Sequence, residues 1–261
     1  MNLLDLTGRT AIVTGAGQGV GRAIAEHLSA HGARVAVNDY VAGRAEAVAG
    51  AIRAAGGTAI AVPGDVTELS AVMALADRAV GELGPVDVLV NNAGNAGAAT
   101  SKVTQRPFWE TDPAEWDAFI GVNLLGPLNC ARAVLPAMVE AGRGGRLITI
   151  ISDAGRVGEP GLEAYSAAKA GAAGLTRALA RTLGRFEITA NCIAIAATRT
   201  PATERWVADE EHVKKMLRNY VIRRIGEPDE IAAMATFLAS SAAGWITGQT
   251  YPVNGGFSFN L

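Results

Sequence analysis

Three side chains in one short piece of the sequence, Ser152, Tyr165 and Lys169, could move a proton to or from an alcohol. Tyr165 and Lys169 are four residues apart in an Ala-rich segment that reads as helix, so they share a face. Ser152 closes the apolar run Leu147-Ile148-Thr149-Ile150-Ile151, which reads as a buried strand. A strand end and a helix start can bring a hydroxyl, a phenol and an ammonium to one point. A free phenol has a pKa of about 10, too high for a base near neutrality. A nearby ammonium favours the phenolate and lowers that value. Alone, the Tyr-x-x-x-Lys spacing is weak, because a buried Tyr beside a solvated Lys reads the same way.

A second set of residues could hold a dinucleotide. Thr10 to Thr14 reads as a strand, and Gly15-Ala16-Gly17-Gln18-Gly19-Val20-Gly21 follows. Val20, Ile24 and Leu28 then mark an amphipathic helix. Glycines let the backbone approach a ligand, and a helix N-terminus offers free N–H groups to a diphosphate. The spacing is T-G-x-x-x-G-x-G rather than G-x-G-x-x-G. The next strand, Arg34 to Asn38, ends at Asp39, 20 residues past Gly19. An acid there can meet the adenosine ribose; its simpler use is as a helix cap.

The elements that must position these groups alternate. Strands read at 59–62, 86–90, 188–195 and 250–253, with helices between, the pattern of an α/β doubly wound parallel sheet. Ligands bind such sheets at the carboxyl ends of the strands, where Gly15, Asp39, Asp65 and Asn92 fall. A long apolar helix from Pro113 to Glu140 should contain Asn123, which needs hydrogen-bond partners. Pro127 and Pro136 are expected to bend it. The helix from Tyr165 to Leu183 is dense in Ala and Gly from Ala167 to Gly174, as a close helix contact requires. Residues 95–107 read as a polar loop of lid type, and Phe108, Trp109 and Trp116 as core or rim packing. Residues 199–224 are amphipathic, with seven Lys/Arg against four Asp/Glu.

The chain has 261 residues, 49% hydrophobic and 18% charged, with net charge −2. That composition suits a soluble domain with a large core and gives no reason to expect a nucleic-acid partner. No apolar run reads as a membrane span and no leader is evident, so the expected location is the cytoplasm. Cys130 and Cys192 read as packed thiols in a reducing compartment. With three histidines and no Cys/His cluster, no metal site is expected.

These residues together resemble the short-chain dehydrogenase/reductase family in its single-domain form. The matching motifs are Thr14-Gly15-x-x-x-Gly19-x-Gly21, Asp65, Asn91-Asn92-Ala93-Gly94, Asn123, Ser152, Tyr165-x-x-x-Lys169 and Asn191. The resemblance implies a Rossmann-type sheet of about seven strands with helices on both faces. It implies one NAD(P)-binding domain over residues 1–261, with a small substrate lid around 199–224, and a homotetramer paired through the Tyr165 and Asn123 helices. Tyr165 would be the general acid/base. Lys169 would lower its pKa and bind the nicotinamide ribose. Ser152 would hold the substrate oxygen, and Asn123 a water in a proton relay. Cofactor contacts would come from Gly15, Gln18, Gly19, Val20, Gly21, Asp39, Asp65, Val66, Asn92, Ala93, Gly94, Tyr165, Lys169, Thr198 and Thr200. Asp39 and the neutral Gln18 favour NAD over NADP; Arg44 is the nearest cation that could offset them.

One departure stands out: Ile195-Ala196 replaces the family's usual Pro-Gly. The run Ser152 to Gly158 is similar to that of alicyclic hydroxyacyl-CoA dehydrogenases. The implied activity is NAD-dependent interconversion of a secondary alcohol and a ketone, on an alicyclic alcohol or a hydroxyacyl-CoA thioester. The alternative is a 3-oxoacyl-thioester reductase, acting on acyl carrier protein or CoA thioesters and using NADPH. From another class, a non-catalytic dinucleotide sensor would keep the fold, but the intact Asn123, Ser152, Tyr165 and Lys169 argue against it.

Overall fold

Seven short runs rich in Val, Ile and Ala form one sheet: β1 (Thr10–Val13), β2 (Arg34–Val37), β3 (Thr58–Ala61), β4 (Val88–Asn91), β5 (Gly145–Ser152), β6 (Ile188–Ile195) and β7 (Thr250–Val253). The computed structural model describes residues 2–94 and 107–259. The strand order is β3-β2-β1-β4-β5-β6-β7, and every pairing is parallel. Every residue of β1 and β4 is buried, as expected of strands covered on both faces.

The helices are α1 (Gly19–Ala30), α2 (Ala42–Ala54), α3 (Leu69–Leu83), α4 (Pro113–Ile120), α5 (Gly126–Ala141), α6 (Ala154–Val157), α7 (Glu163–Leu183), α8 (Glu204–Val207), α9 (Glu210–Met216) and α10 (Pro228–Ala239). Alternate strand residues go to opposite faces. Val13, Val90 and Ile148 pack with Ile24 and Leu28 of α1, Val48 of α2 and Leu238 of α10. Their neighbours Ile12, Leu89 and Leu147 pack with Leu75 of α3, Val134 and Met138 of α5 and Leu183 of α7. The strand order reverses direction at β1 and β4, so a crevice opens beyond their carboxyl ends.

The expected continuous helix from Pro113 to Glu140 is in fact two helices joined by a wider π-helical turn, Gly121–Leu125. Pro127 has no N–H to return to the carbonyl of residue 123, so the regular ladder fails there. Pro136, by contrast, sits inside α5. By length and composition, the run Pro113–Ala141 contains a stretch apolar enough to cross a membrane, which the sequence reading did not expect. In the structure one side of it packs into the fold, where Val122, Cys130, Ala131, Val134 and Met138 are buried.

Both cysteines are free and buried. Burial pushes the Cys130 thiol up to about 12 and raises Cys192 as well, so both behave as packed thiols.

Candidate active site

The glycine-rich turn joins β1 to α1. Gly15 has φ +61°, and a Cβ there would lie 2.8 Å from the Cα of Ala93. The two turns are therefore in direct backbone contact. Asn92 locks them: its Nδ2 donates to the carbonyls of Thr14 at 2.9 Å and Gly15 at 3.0 Å. The N–H groups of Asn92 and Ala93 donate to Thr14 Oγ1 at 3.0 and 3.1 Å. Gln18 provides no side-chain cap to α1, and no acid lies in the helix's first turn. The start of α1, at Gly19, Val20 and Gly21, thus keeps the donor groups and positive end that suit a diphosphate. Thr200 reaches over this turn, its Cγ2 3.1 Å from where a Cβ on Gly19 would lie.

Asp39 lies just past β2 and is buried. Its Oδ2 accepts from Gly17 N–H at 3.0 Å and its Oδ1 from Val41 N–H at 2.9 Å. The carboxylate thus braces the glycine turn as well as ending the strand. The Cβ of Arg44 packs at the same glycine. Asp65 accepts from the Thr67 N–H at 2.9 Å and hydroxyl at 2.8 Å. Asn129 of α5 holds the carbonyls of Val66 and Thr67, both at 3.0 Å. Sequence reading missed Asn129; its only signal was a polar residue in an apolar helix.

The chemical groups meet at the ends of β4 and β5. Ser152 is the last residue of β5; its Oγ accepts from Ala154 N–H at 3.1 Å and lies near enough to the Tyr165 phenol to favour its ionised form. Tyr165 and Lys169 project from one face of α7. Lys169 is buried, its Nζ 5.8 Å from the Tyr165 ring centroid and donating to the Ile150 carbonyl at 2.8 Å. Asn123 lies in the π-helical turn, fully buried, with its Nδ2 donating to the Phe119 carbonyl at 2.9 Å. Phe119, which no sequence motif marks, also meets the Tyr165 ring edge-on, with centroids 6.1 Å apart. A Cβ on Gly94 would lie 3.0 Å from Asn123 Oδ1 and 3.1 Å from Lys169 Nζ. A side chain there would crowd both groups.

Burial raises the Tyr165 phenol above its ordinary value, and the Ser152 hydroxyl pulls the other way. Burial also lowers Lys169, to about 8. The expected lowering of Tyr165 by the ammonium is thus not the dominant influence here; desolvation is.

Thr198 and Thr200 lie beyond β6. Thr198 is buried, its hydroxyl donates to the Ala196 carbonyl at 3.1 Å, and it bridges to Gly226. Without the Pro-Gly pair, β6 stays extended through Ile195, which pairs with both Ser152 and Val253. Residues 199–224 form α8, α9 and a short turn; Arg199 pairs with Glu227 and Arg224 with Glu230 at the base. The lid-type reading of 95–107 lies outside the described residues except for Pro107. Among the described residues, no group of three or more His, Cys, Asp or Glu could hold a metal ion.

An all-parallel sheet with a glycine turn at its switch point and a Ser-Tyr-Lys set beyond β5 defines a dinucleotide-dependent oxidoreductase fold. The chain belongs to the short-chain dehydrogenase/reductase family, NAD(P)-dependent enzymes acting on CH–OH groups. Residues 15–258 match the family described as enoyl-(acyl carrier protein) reductase. The cis-4-hydroxycyclohexanecarboxylate dehydrogenase of Sinomonas cyclohexanicum is 39% identical over 250 residues, covering 96% of each chain. The structure of gluconate 5-dehydrogenase from Burkholderia cenocepacia with NADP and tartrate superposes with a TM-score of 0.91 at 32% identity, covering 100% of this chain and 99% of that one. That of a 7α-hydroxysteroid dehydrogenase with NADH and 7-oxo glycochenodeoxycholic acid gives 0.89 at 38%, covering 97% and 96%.

Proposed function

We propose that this enzyme interconverts a secondary alcohol and a ketone, with NAD as the preferred cofactor. The observation that carries the reading is the convergence of Ser152, Tyr165 and Lys169, with Lys169 and Asn123 against Gly94, the residue after the Ala93 that touches Gly15. NAD, when bound, supplies the hydride acceptor. Gly15, Gln18, Gly19, Val20, Gly21 and Thr200 would hold its diphosphate, and Asp39 its adenosine ribose. Asp65, Val66, Asn92, Ala93, Gly94 and Thr198 would line its remaining path. Ser152 would hold the substrate oxygen, and Tyr165 would take its proton in oxidation or return it in reduction. Lys169 would bind the nicotinamide ribose and, with Asn123, pass the proton toward solvent. Residues 1–261 read as one cytoplasmic domain, with 199–224 as its lid.

An alicyclic alcohol is the favoured substrate class, supported by the Sinomonas relative and the Ser152 to Gly158 run. A CoA thioester draws less support. Arg199 and Arg224 of the basic excess are committed to Glu227 and Glu230, and Lys214, Lys215 and Arg218 share their surface hollow with Asp209 and Glu211. The second reading, an NADPH-dependent 3-oxoacyl-thioester reductase, rests on Arg44 beside Gly17 and Asp39. The test is an activity screen of alicyclic alcohols, steroids and hydroxyacyl-CoA with NAD and NADP, followed at the nicotinamide absorbance. A KM for hydroxyacyl-CoA that rises steeply with salt would favour the thioester. No turnover of any alcohol or ketone would overturn both readings.

A homotetramer is proposed through the outer strip of α7. The Ala/Gly stretch divides between two faces. Ala168, Ala172 and Ala173 are buried within the chain and Gly171 faces Leu124, whereas Ala167 and Ala170 are exposed and a Cβ on Gly174 would meet, among the described residues beyond its own helix backbone, only the end of Arg177. Leu125 and Leu128, near this strip in the adjoining helix, are exposed too.

A further inference from the structure

Asp153, next to Ser152, is a carboxylate that the proposed reaction does not use, and it is only 2% exposed. A buried charge is tolerated when it is paired and hydrogen-bonded. Its Oδ1 accepts from Arg156 Nη1 at 2.7 Å and from Ser258 Oγ at 2.9 Å; its Oδ2 accepts from Asn254 Nδ2 at 2.6 Å. Arg156 also donates to Ser258 Oγ at 2.6 Å and to the Phe259 carbonyl at 2.9 Å. One carboxylate thus joins the turn after β5, the exit of β7 and the last described residues of the chain. Its own backbone is held as well: the N–H donates to the Ile195 carbonyl at 2.9 Å, and the carbonyl accepts from the Arg156 and Val157 N–H groups.

The other side of this C-terminal turn leans on the return of the 199–224 segment. Ile222 N–H donates to the Gly255 carbonyl at 2.8 Å, and the Tyr220 and Phe257 rings lie 5.1 Å apart. The Tyr220 hydroxyl accepts from Ala197 N–H at 3.1 Å, in the segment that has lost the Pro-Gly pair. Burial raises the Tyr220 phenol, and the charges of Asp153 and Glu159 add to the effect, so Asp153 is electrostatically felt at that ring. A cavity of about 280 Å³, lined by Tyr220, Ile222, Asn254, Gly255 and Gly256 among others, lies against the turn. Hydrogen bonds, more than close packing, therefore hold its position.

We propose that Asn254 to Phe259 form a strut that fixes the spacing between the Ser152 turn and the returning lid at Tyr220 and Ile222, with Asp153 as its positioning residue. The proposal rests on the reading of Ser152 as the holder of the substrate oxygen. Asp153 acts through Ser152 on one side and through Tyr220 and Ala197 on the other. Asn254, Arg156 and Ser258 all present donors to it. An amide in its place would turn an N–H₂ toward one of them and open the clamp.

The test compares Asp153→Asn and Ser258→Ala with wild type, as full chains, on an alcohol that wild type oxidises. Backbone hydrogen exchange is followed in parallel. The expected result for Asp153→Asn is a kcat lower by about tenfold or more, with the KM for NAD within about twofold of wild type, since the glycine turn is untouched. The Ala197 and Ile222 amides should exchange faster, relative to those of β1 and β4. Ser258→Ala should move both readouts the same way by less, and it carries the test alone if Asp153→Asn does not fold. Unchanged kcat, or faster exchange confined to residues 153–158, would overturn the strut. An inactive wild type would overturn the dehydrogenase reading instead, and the exchange arm, which needs no substrate, would then decide the strut.

Discussion

The two halves of the sheet build their shares of the site by different means. Around β1 to β4, motif residues hold one another: Asn92 bonds Thr14 and Gly15, and Asp39 bonds Gly17. Around β5 to β7, the residues that flank the motifs lean on distant partners: Asp153 on Asn254 and Ser258, Ala197 on Tyr220, Arg199 on Glu227. A diphosphate and a ribose have fixed shapes, so backbone N–H groups and a few glycines suffice for them. A substrate pocket needs walls specific to its ligand, and here those walls come from distant segments. If that contrast is right, changes in the first half should alter cofactor use, and changes in the second should alter chemistry and assembly.

The largest effect is expected at Tyr165. Tyr165→Phe keeps the ring against Phe119 and removes the transferable proton. Turnover should fall by about two or more orders of magnitude, while NADH binding, read by fluorescence, stays near wild type. Because burial raises the phenol, the wild-type rate of alcohol oxidation should climb with pH through the range below its pKa. A Tyr165→Phe enzyme with most of its activity would break the contrast at its centre.

The next effect belongs to the cofactor half. The 2′-phosphate of NADP would face the Asp39 carboxylate. Two unit charges about 4 Å apart repel by roughly 4 kcal/mol at an effective dielectric near 20. Screening leaves about 2–3 kcal/mol, or roughly a 30- to 150-fold preference for NAD in kcat/KM. Asp39→Ala should shrink the preference below about tenfold by the same arithmetic. It should also raise the KM for NAD, because Gly17 N–H loses its acceptor. A wild type that prefers NADP would transfer the selectivity to Arg44.

The assembly can be tested on α7 with two tryptophans. Gly174→Trp places a bulky ring on the open strip and should convert tetramers to smaller species by light scattering, with folding preserved. Gly171→Trp must displace Leu124 within the same chain, so its main effect should be a lower melting temperature. A wild-type monomer at working concentration would end the tetramer reading.

These expectations show which parts of the molecule were legible in the sequence. The alternating runs were readable because burial on both faces makes continuous apolar strands; β6 and β7 fall on the expected residues. The glycine turn, Asp39 and Ser152 were readable because each sits at a strand's carboxyl end, and Tyr165 because it shares a helix face with Lys169. The break at Asn123 was not, since a π-helical turn keeps the apolar pattern of a helix and differs by one hydrogen-bond step. Asn129, Phe119 and the Asp153 clamp were also hidden. Their partners lie far away in the chain, and no local periodicity reports a contact between residues 153 and 254.

The smallest expected effect concerns Lys169, which belongs to both halves: it projects from α7 and meets Gly94 after β4. Burial lowers its pKa from 10.5 to about 8. The unfolded chain therefore holds more protons than the folded one between those values, and stability rises with pH across that interval. Below about pH 8 both states carry the ammonium, and the full cost of burying it is present. Lys169→Met replaces the stem with an apolar chain of similar length and removes the titration. The Ile150 carbonyl loses its donor at every pH, so that loss shifts the comparison without tilting it. The Cys192 thiol feels the same charge, but burial, its largest influence, raises it in both proteins. Between pH 7 and 9, wild type should therefore gain about 1 kcal/mol of stability relative to Lys169→Met. Urea unfolding at three pH values measures the difference. A flat or falling difference would mean that Lys169 keeps an ordinary pKa, and that solvent reaches further into the junction of the two halves than its burial implies.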